Sequence, residues 1–190
     1  MKFKDEQKLE AIAQATYRCV LARGIGALKL SEIARSAGIA TSTLYVYYPS
    51  KKDLLDALYE RAKTVTFARL LESDLSQAPI KARVRQLWLN SLENRLTNQA
   101  ELVFMEQYAS SEYMSEANRS LSARLAAVFQ SLLAAGQQEE TLKDVPLPFL
   151  IASLVGSVHE TAKLIGQHSV ANDTATRNTA FQMCWDAIKA

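Results

Sequence analysis

The stretch Ile33-Ala34-Arg35-Ser36-Ala37-Gly38-Ile39-Ala40-Thr41-Ser42-Thr43-Leu44-Tyr45-Val46-Tyr47-Tyr48 has the spacing of two short helices that cross steeply around a tight turn. Such a crossing makes three demands. The first helix needs a small residue where the second packs on it, the turn wants glycine, and the second helix needs an apolar anchor. Ala34, Gly38 and Leu44 meet these demands at steps of four and six residues. Leu30, Ile33, Ala34 and Ala37 mark the first helix, and Ile33, Ile39 and Tyr48 close a small core beneath the pair. With those side chains inward, Thr41, Ser42, Thr43, Val46 and Tyr47 are left facing outward on the second helix. Hydroxyls exchange hydrogen bonds with base edges and phosphates, and Thr and Val methyl groups suit thymine methyls. The plainer alternative is that Ser and Thr here only cap a short helix.

Working outward, an N-terminal helix carries Leu9, Ile12, Ala13, Thr16, Cys19 and Val20 on one stripe and stops at Gly24-Ile25-Gly26. After the motif, Pro49 disfavours helical geometry at Tyr48, and Ser50 with Asp53 has the spacing of a capping box. Lys51 then opens the next helix, where a cation opposes the macrodipole unless it meets an anion. That helix carries Leu54, Leu55, Leu58, Tyr59, Ala62 and Val65 and is expected to run to about Ser73. Beyond the polar stretch 73–79, helices are expected at about 80–97, 100–110, 115–135, 148–167 and 173–189, with Gly136 able to cap the seventh and Asn172 or Asp173 the ninth. Pro146 and Pro148 bracket the start of the eighth.

Composition agrees with an all-α fold of about nine helices. Only six Gly and four Pro occur in 190 residues, and the hydrophobic fraction of 48% supplies a core. Residues 1–52 hold nine basic and four acidic residues, a local charge of +5, whereas the remainder sums to −3. This asymmetry suits a cationic module that faces phosphates, joined to a mildly acidic body. No apolar run is long enough to span a bilayer, and the charged N-terminus lacks a signal-peptide pattern, which points to the cytoplasm and away from a membrane partner. Cys19, Cys184, His159 and His168 have no metal-ligand spacing, and no nucleophile–base–acid set is present, so neither a metal, a cofactor nor an enzyme is expected.

The segments 33–39 and Thr43-Leu44-Tyr45-Val46-Tyr47-Tyr48-Pro49-Ser50-Lys51-Lys52-Asp53-Leu54 resemble the signature of the TetR (tetracycline-repressor-like) family. The resemblance implies a homodimeric, helical transcription regulator with a helix-turn-helix domain at 1–50 and a ligand-sensing and dimerisation domain at 51–190, linked by the helix at 51–73. It implies groove-facing Thr41, Ser42 and Thr43, with Tyr45, Tyr47, Lys51 and Lys29 toward phosphates, and a double-stranded operator as partner. Three positions depart from the family pattern. Ala40 replaces the small polar cap of the recognition helix, so Thr41 or Ser42 is expected to cap it; Lys29 replaces a Ser or Thr cap; Tyr47 and Tyr48 replace His and Phe.

The body is expected to sense a small-molecule effector. Candidate pocket residues are Trp88, Phe104, Tyr108, Phe129 and His159, with Glu106, Tyr113 and Met114 also considered, ordinary core packing being the alternative for each. Ser153, Gly156 and Ser157 set small residues along the eighth helix. By the resemblance they would form a dimer interface with Phe181, Trp185 and Ile188; intramolecular packing is the alternative. The expected activity is repression relieved by a ligand. The rivals are a ligand-independent dimeric regulator and a helical enzyme.

Overall fold

The computed structural model describes residues 2–72 and 77–190, with side chains from Glu6 onward. Its described residues form nine helices: α1 (Lys2–Arg23), α2 (Leu30–Ser36), α3 (Thr41–Tyr47), α4 (Lys51–Leu70), α5 (Ile80–Thr97), α6 (Gln99–Ala109), α7 (Glu116–Gln138), α8 (Leu147–Gly166) and α9 (Thr174–Ile188). The all-α expectation therefore holds. The expected end of α4 near Ser73 lies outside the described residues.

Packing divides the chain into two units. The first, the head, comprises the described residues through Val65 together with Asn98–Ser122. Its core joins Ile12 and Val20 of α1, Ile33 and Ala34 of α2, Leu44 of α3 and Leu54, Leu55 and Leu58 of α4 to Phe104, Met105 and Tyr108 of α6. The line of division differs from the boundary expected at residue 50, because the i, i+4 pair Phe104 and Tyr108 gives α6 an apolar stripe that α1 buries. The Tyr17 and Phe104 rings lie 5.1 Å apart. Gln107 Oε1 accepts the Ile25 N–H at 2.8 Å, which pins the loop between α1 and α2.

The second unit comprises the described residues of Thr66–Thr97 together with Ala123–Ala190. Here α5, α8 and α9 pack pairwise around Val84, Trp88, Leu92, Leu150, Leu154, Phe181 and Trp185. Asp173 caps α9 by accepting the Thr176 N–H at 2.8 Å, and that bond holds its carboxyl below the usual range.

Three helices end in the same way. At the close of α2, Gly38 takes a left-handed φ of 69°, with Ile39 N–H bonded to Ala34 O at 3.0 Å and Gly38 N–H to Arg35 O at 3.2 Å. This is the Schellman arrangement, in which glycine takes the left-handed residue without a Cβ penalty. The ends of α7 and α8 repeat it with Glu140 (φ 53°) and His168 (φ 56°) at the left-handed position. The expectation that Gly136 caps α7 is thus corrected: the helix continues to Gln138, and Gly136 lies inside it. A Cβ on Gly136 would fall 2.6 Å from Leu142 Cδ1 and 3.1 Å from Ile80 Cγ2, so this glycine serves close packing.

Candidate DNA-binding surface and an apolar cavity

The second helix of the motif is α3, and its seven residues are oriented by one anchor. Leu44 is completely buried, and Tyr47 and Tyr48 pack partly against the same core, so Tyr47, expected to face outward, is turned partly inward beside its anchor. The opposite face carries exposed Ser42, Tyr45 and Val46, the last 82% exposed, with half-buried Thr41 and Thr43 beside them. Ala40 is the N-cap, in extended conformation and without a side-chain capping bond, so neither Thr41 nor Ser42 takes over as cap. Lys29 occupies the N-cap of α2, likewise without a side-chain bond, and is exposed, as is Arg35 in the last turn of α2. Burial raises the Tyr48 phenol above its ordinary range, so the ring stays neutral.

Lys51 is half-buried at the start of α4. Its Nζ stands 3.4 Å from Gly26 O and 4.9 Å from the centroid of the Tyr113 ring. These two contacts offset the unfavourable macrodipole position from within the head, a compensation that spacing along the chain does not reveal. The capping box before it is only half formed. Ser50 Oγ accepts the Asp53 N–H at 3.2 Å, but the Asp53 carboxylate accepts from the Ser50 hydroxyl at 2.7 Å instead of reaching back to the backbone. Arg23 and Lys52 are held by Glu32 and Asp56.

The five pocket candidates do not converge. Trp88 and Phe129 line a cavity of about 170 Å³ in the second unit, together with Leu70, Leu87, Ser91, Ala126, Leu133, Ile151, Leu154, Val155 and Val158. Phe104 and Tyr108 lie in the core of the head, where Tyr113 and Met114 also pack. His159 is exposed, its Nδ1 2.5 Å from Arg95 Nη2, and Glu106 is exposed as well. The i, i+4 spacing of Phe104 and Tyr108 sets both on one face of α6, but spacing does not say which core that face enters.

Tyr108 instead anchors a polar cluster within the head. Its hydroxyl donates to Asp56 Oδ1 and accepts from Asn118 Nδ2 at 3.0 Å and from the Ser115 N–H at 3.2 Å. Tyr108→Phe removes a bond to a carboxylate and two acceptor contacts around the buried Asn118. The expected loss is about 2 kcal/mol of stability, seen as a lowered Tm.

The expected dimer-interface residues also divide. Phe181, Trp185 and Ile188 are buried inside their own unit, because α9 spends its apolar stripe on α5 and α8. The Phe181 ring lies 5.9 Å from Trp88 and 6.3 Å from Trp185. Ser157 accepts the Trp88 indole N–H at 2.7 Å, and Ser153 bonds back to Phe149 O. Gly156 is exposed, with no atom near a would-be Cβ. The large apolar side chains left exposed on these helices are Phe149 (67%), Val155, Leu164 and Met183 (71%). Cys184 is buried, which pushes its thiol up and keeps it protonated. Among the described residues, no cluster of His, Cys, Asp and Glu fits a metal ion, and no helix is long and apolar enough to cross a membrane.

Comparison with known proteins agrees with this arrangement. Residues 12–58 match the family model described as bacterial regulatory proteins, tetR family, and residues 61–190 match the tetracyclin repressor-like C-terminal domain. A helix-turn-helix-type transcriptional regulator of Haemophilus influenzae is 30% identical over 102 residues, 53% of this chain and 54% of its own length. The helix-turn-helix-type transcriptional repressor LfrR of Mycolicibacterium smegmatis is 33% identical over 64 residues, 34% of each chain. The chain thus spans about half the length, or less, of the curated relatives it matches. A crystal structure of a TetR-family transcription regulator from Marinobacter aquaeolei superposes with a TM-score of 0.90 at 25% identity, covering 100% of this chain and 99% of that one.

Proposed function

Because this chain belongs to the tetR family of bacterial regulatory proteins and is a DNA-binding transcription regulator, we propose that it acts as a homodimeric repressor. It works in the cytoplasm on a pseudo-palindromic operator, from which a small molecule held in the cavity between α5, α7 and α8 releases it. The supporting observation is the division of α3 into a buried anchor, Leu44, and an outward face of Ser42, Tyr45 and Val46 flanked by Thr41 and Thr43. Thr41, Ser42 and Thr43 of that face read base edges in the major groove, while Lys29, Tyr45, Tyr47 and Lys51 meet phosphates. The two α3 helices of a dimer would bind half-sites about 34–36 Å apart, one turn of DNA. Exposed Phe149 and Met183, with Gly156 leaving room between helices, support self-association through α8 and α9. To take the operator-bound fraction from nearly full to nearly empty, the effector must favour the non-binding conformation by about 5.5 kcal/mol.

Binding to a pool of randomised duplexes across a salt series tests the surface. Lys51→Ala is expected to weaken all sequences alike and to reduce the salt slope by about one. Thr43→Ala is expected to change the enriched sequence instead. An unchanged slope in the first variant removes Lys51 from the phosphate contacts, and an unchanged sequence profile in the second moves base readout away from Thr43.

A further inference from the structure

We propose that the cavity of the second unit selects an uncharged, apolar small molecule of the size of a substituted benzene. The regulatory meaning of such a ligand rests on the effector reading given above; its chemistry rests on the cavity alone. Of the eleven lining residues, ten are apolar or aromatic and none is ionisable. The exception is Ser91, whose hydroxyl already donates to Leu87 O at 2.7 Å. Trp88 contributes the other polar group of the wall, and its indole N–H is committed to Ser157 Oγ at 2.7 Å. A ligand that enters therefore meets no unspent donor and no countercharge.

This decides the class of ligand. An ion placed among these side chains would lose its water without gaining a partner, a large penalty that a neutral ring avoids. Size narrows the choice further. An enclosed cavity of about 150 Å³ lined by aliphatic and aromatic side chains is large enough for benzene, and the present one, about 170 Å³ and partly open to solvent, admits such a ring with a short alkyl substituent. Trp88 and Phe129 supply aromatic walls for offset or edge-on contact with a ring. Val155 is the exposed residue of the lining. The bond to Ser157 also keeps the Trp88 N–H occupied, so the tryptophan serves the ligand as an apolar wall.

The test uses the full chain with toluene, ethylbenzene, benzoate and benzylammonium as probes, read by calorimetric titration and by shift of Tm. Toluene and ethylbenzene are expected to bind saturably, and the two charged rings at least a hundredfold more weakly. Ala126→Phe should fill the cavity and lower toluene affinity at least tenfold, whereas Ser91→Ala should leave it within twofold. Charged probes that match toluene, a tenfold loss in Ser91→Ala, or no saturable toluene binding would each overturn the proposal. The wild-type panel needs no variant, so misfolding of Ala126→Phe does not remove the test. Toluene that binds without weakening the duplex pool supports the ligand class while sinking the effector reading. Absent toluene binding with intact duplex binding sinks the ligand class and leaves the DNA-binding reading standing.

Discussion

Leu44→Ala is expected to lower the stability of the head by about 3 kcal/mol and to abolish binding to a randomised duplex pool. Leu44 is fully buried and is the only buried residue of α3. The helix has seven residues, too few to persist in water by themselves, and no side chain caps its N-terminus. Its position therefore depends on one side chain more than on hydrogen bonding at its ends. Removing three carbon atoms leaves a cavity under a helix that has little else to hold it. Tm should fall by more than 10 °C, at roughly 4–8 °C per kcal/mol for a unit of this size. Val46→Ala is the control. At 82% exposure it should melt as the parent does, while changing duplex binding if α3 enters the groove. A Leu44→Ala protein that melts normally and binds duplexes within twofold would deny Leu44 the anchoring role.

Gly136→Val is expected to destabilise the second unit by about 3 kcal/mol, against a gain of less than 1 kcal/mol in helix propensity. The Cβ alone would lie 2.6 Å from Leu142 Cδ1 and 2.8 Å from its Cγ, and valine adds two methyl groups. Leu142 has little freedom to retreat. Its N–H and that of Thr141 both bond to Gly136 O, at 3.0 and 2.9 Å, and it forms an isolated bridge with Lys189. Next to it, Lys143 donates its backbone N–H to Ile188 O at 2.9 Å and its Nζ to Ala187 O at 2.7 Å. The α7–α8 connection is thus tied to the end of α9, and a larger residue at 136 pushes on that tie. Calorimetric melting measures the loss. A Tm within 2 °C of the parent would show that Leu142 and Ile80 can repack around the valine.

The two substitutions differ in how visible their reasons are along the chain. Leu44 is legible because a short amphipathic helix after a glycine turn allows one inward position, and its neighbours are polar or outward. The reason for Gly136 is not legible. A glycine near the end of a helical pattern reads as a cap, and the residues that crowd it, Ile80 and Leu142, are distant or beyond the helix in sequence. The left-handed cap falls to Glu140, a residue with no such preference, because the tie through Leu142 fixes where the chain must turn.

The candidate sites divide along the same line. The sequence by itself determined the nine helices of the described residues, their limits to within a few residues, the helix-turn-helix and its outward hydroxyl face, because these depend on local periodicity, turn chemistry and one small residue per crossing. Tertiary structure alone decided which core each apolar stripe joins. It drew Phe104 and Tyr108 into the head, committed Phe181, Trp185 and Ile188 to the second unit, and left Trp88 and Phe129 beside an apolar cavity. It also gave Lys51 a carbonyl and an aromatic ring as neighbours. A helical stripe specifies that a face must be buried; only the packing of distant helices specifies what buries it.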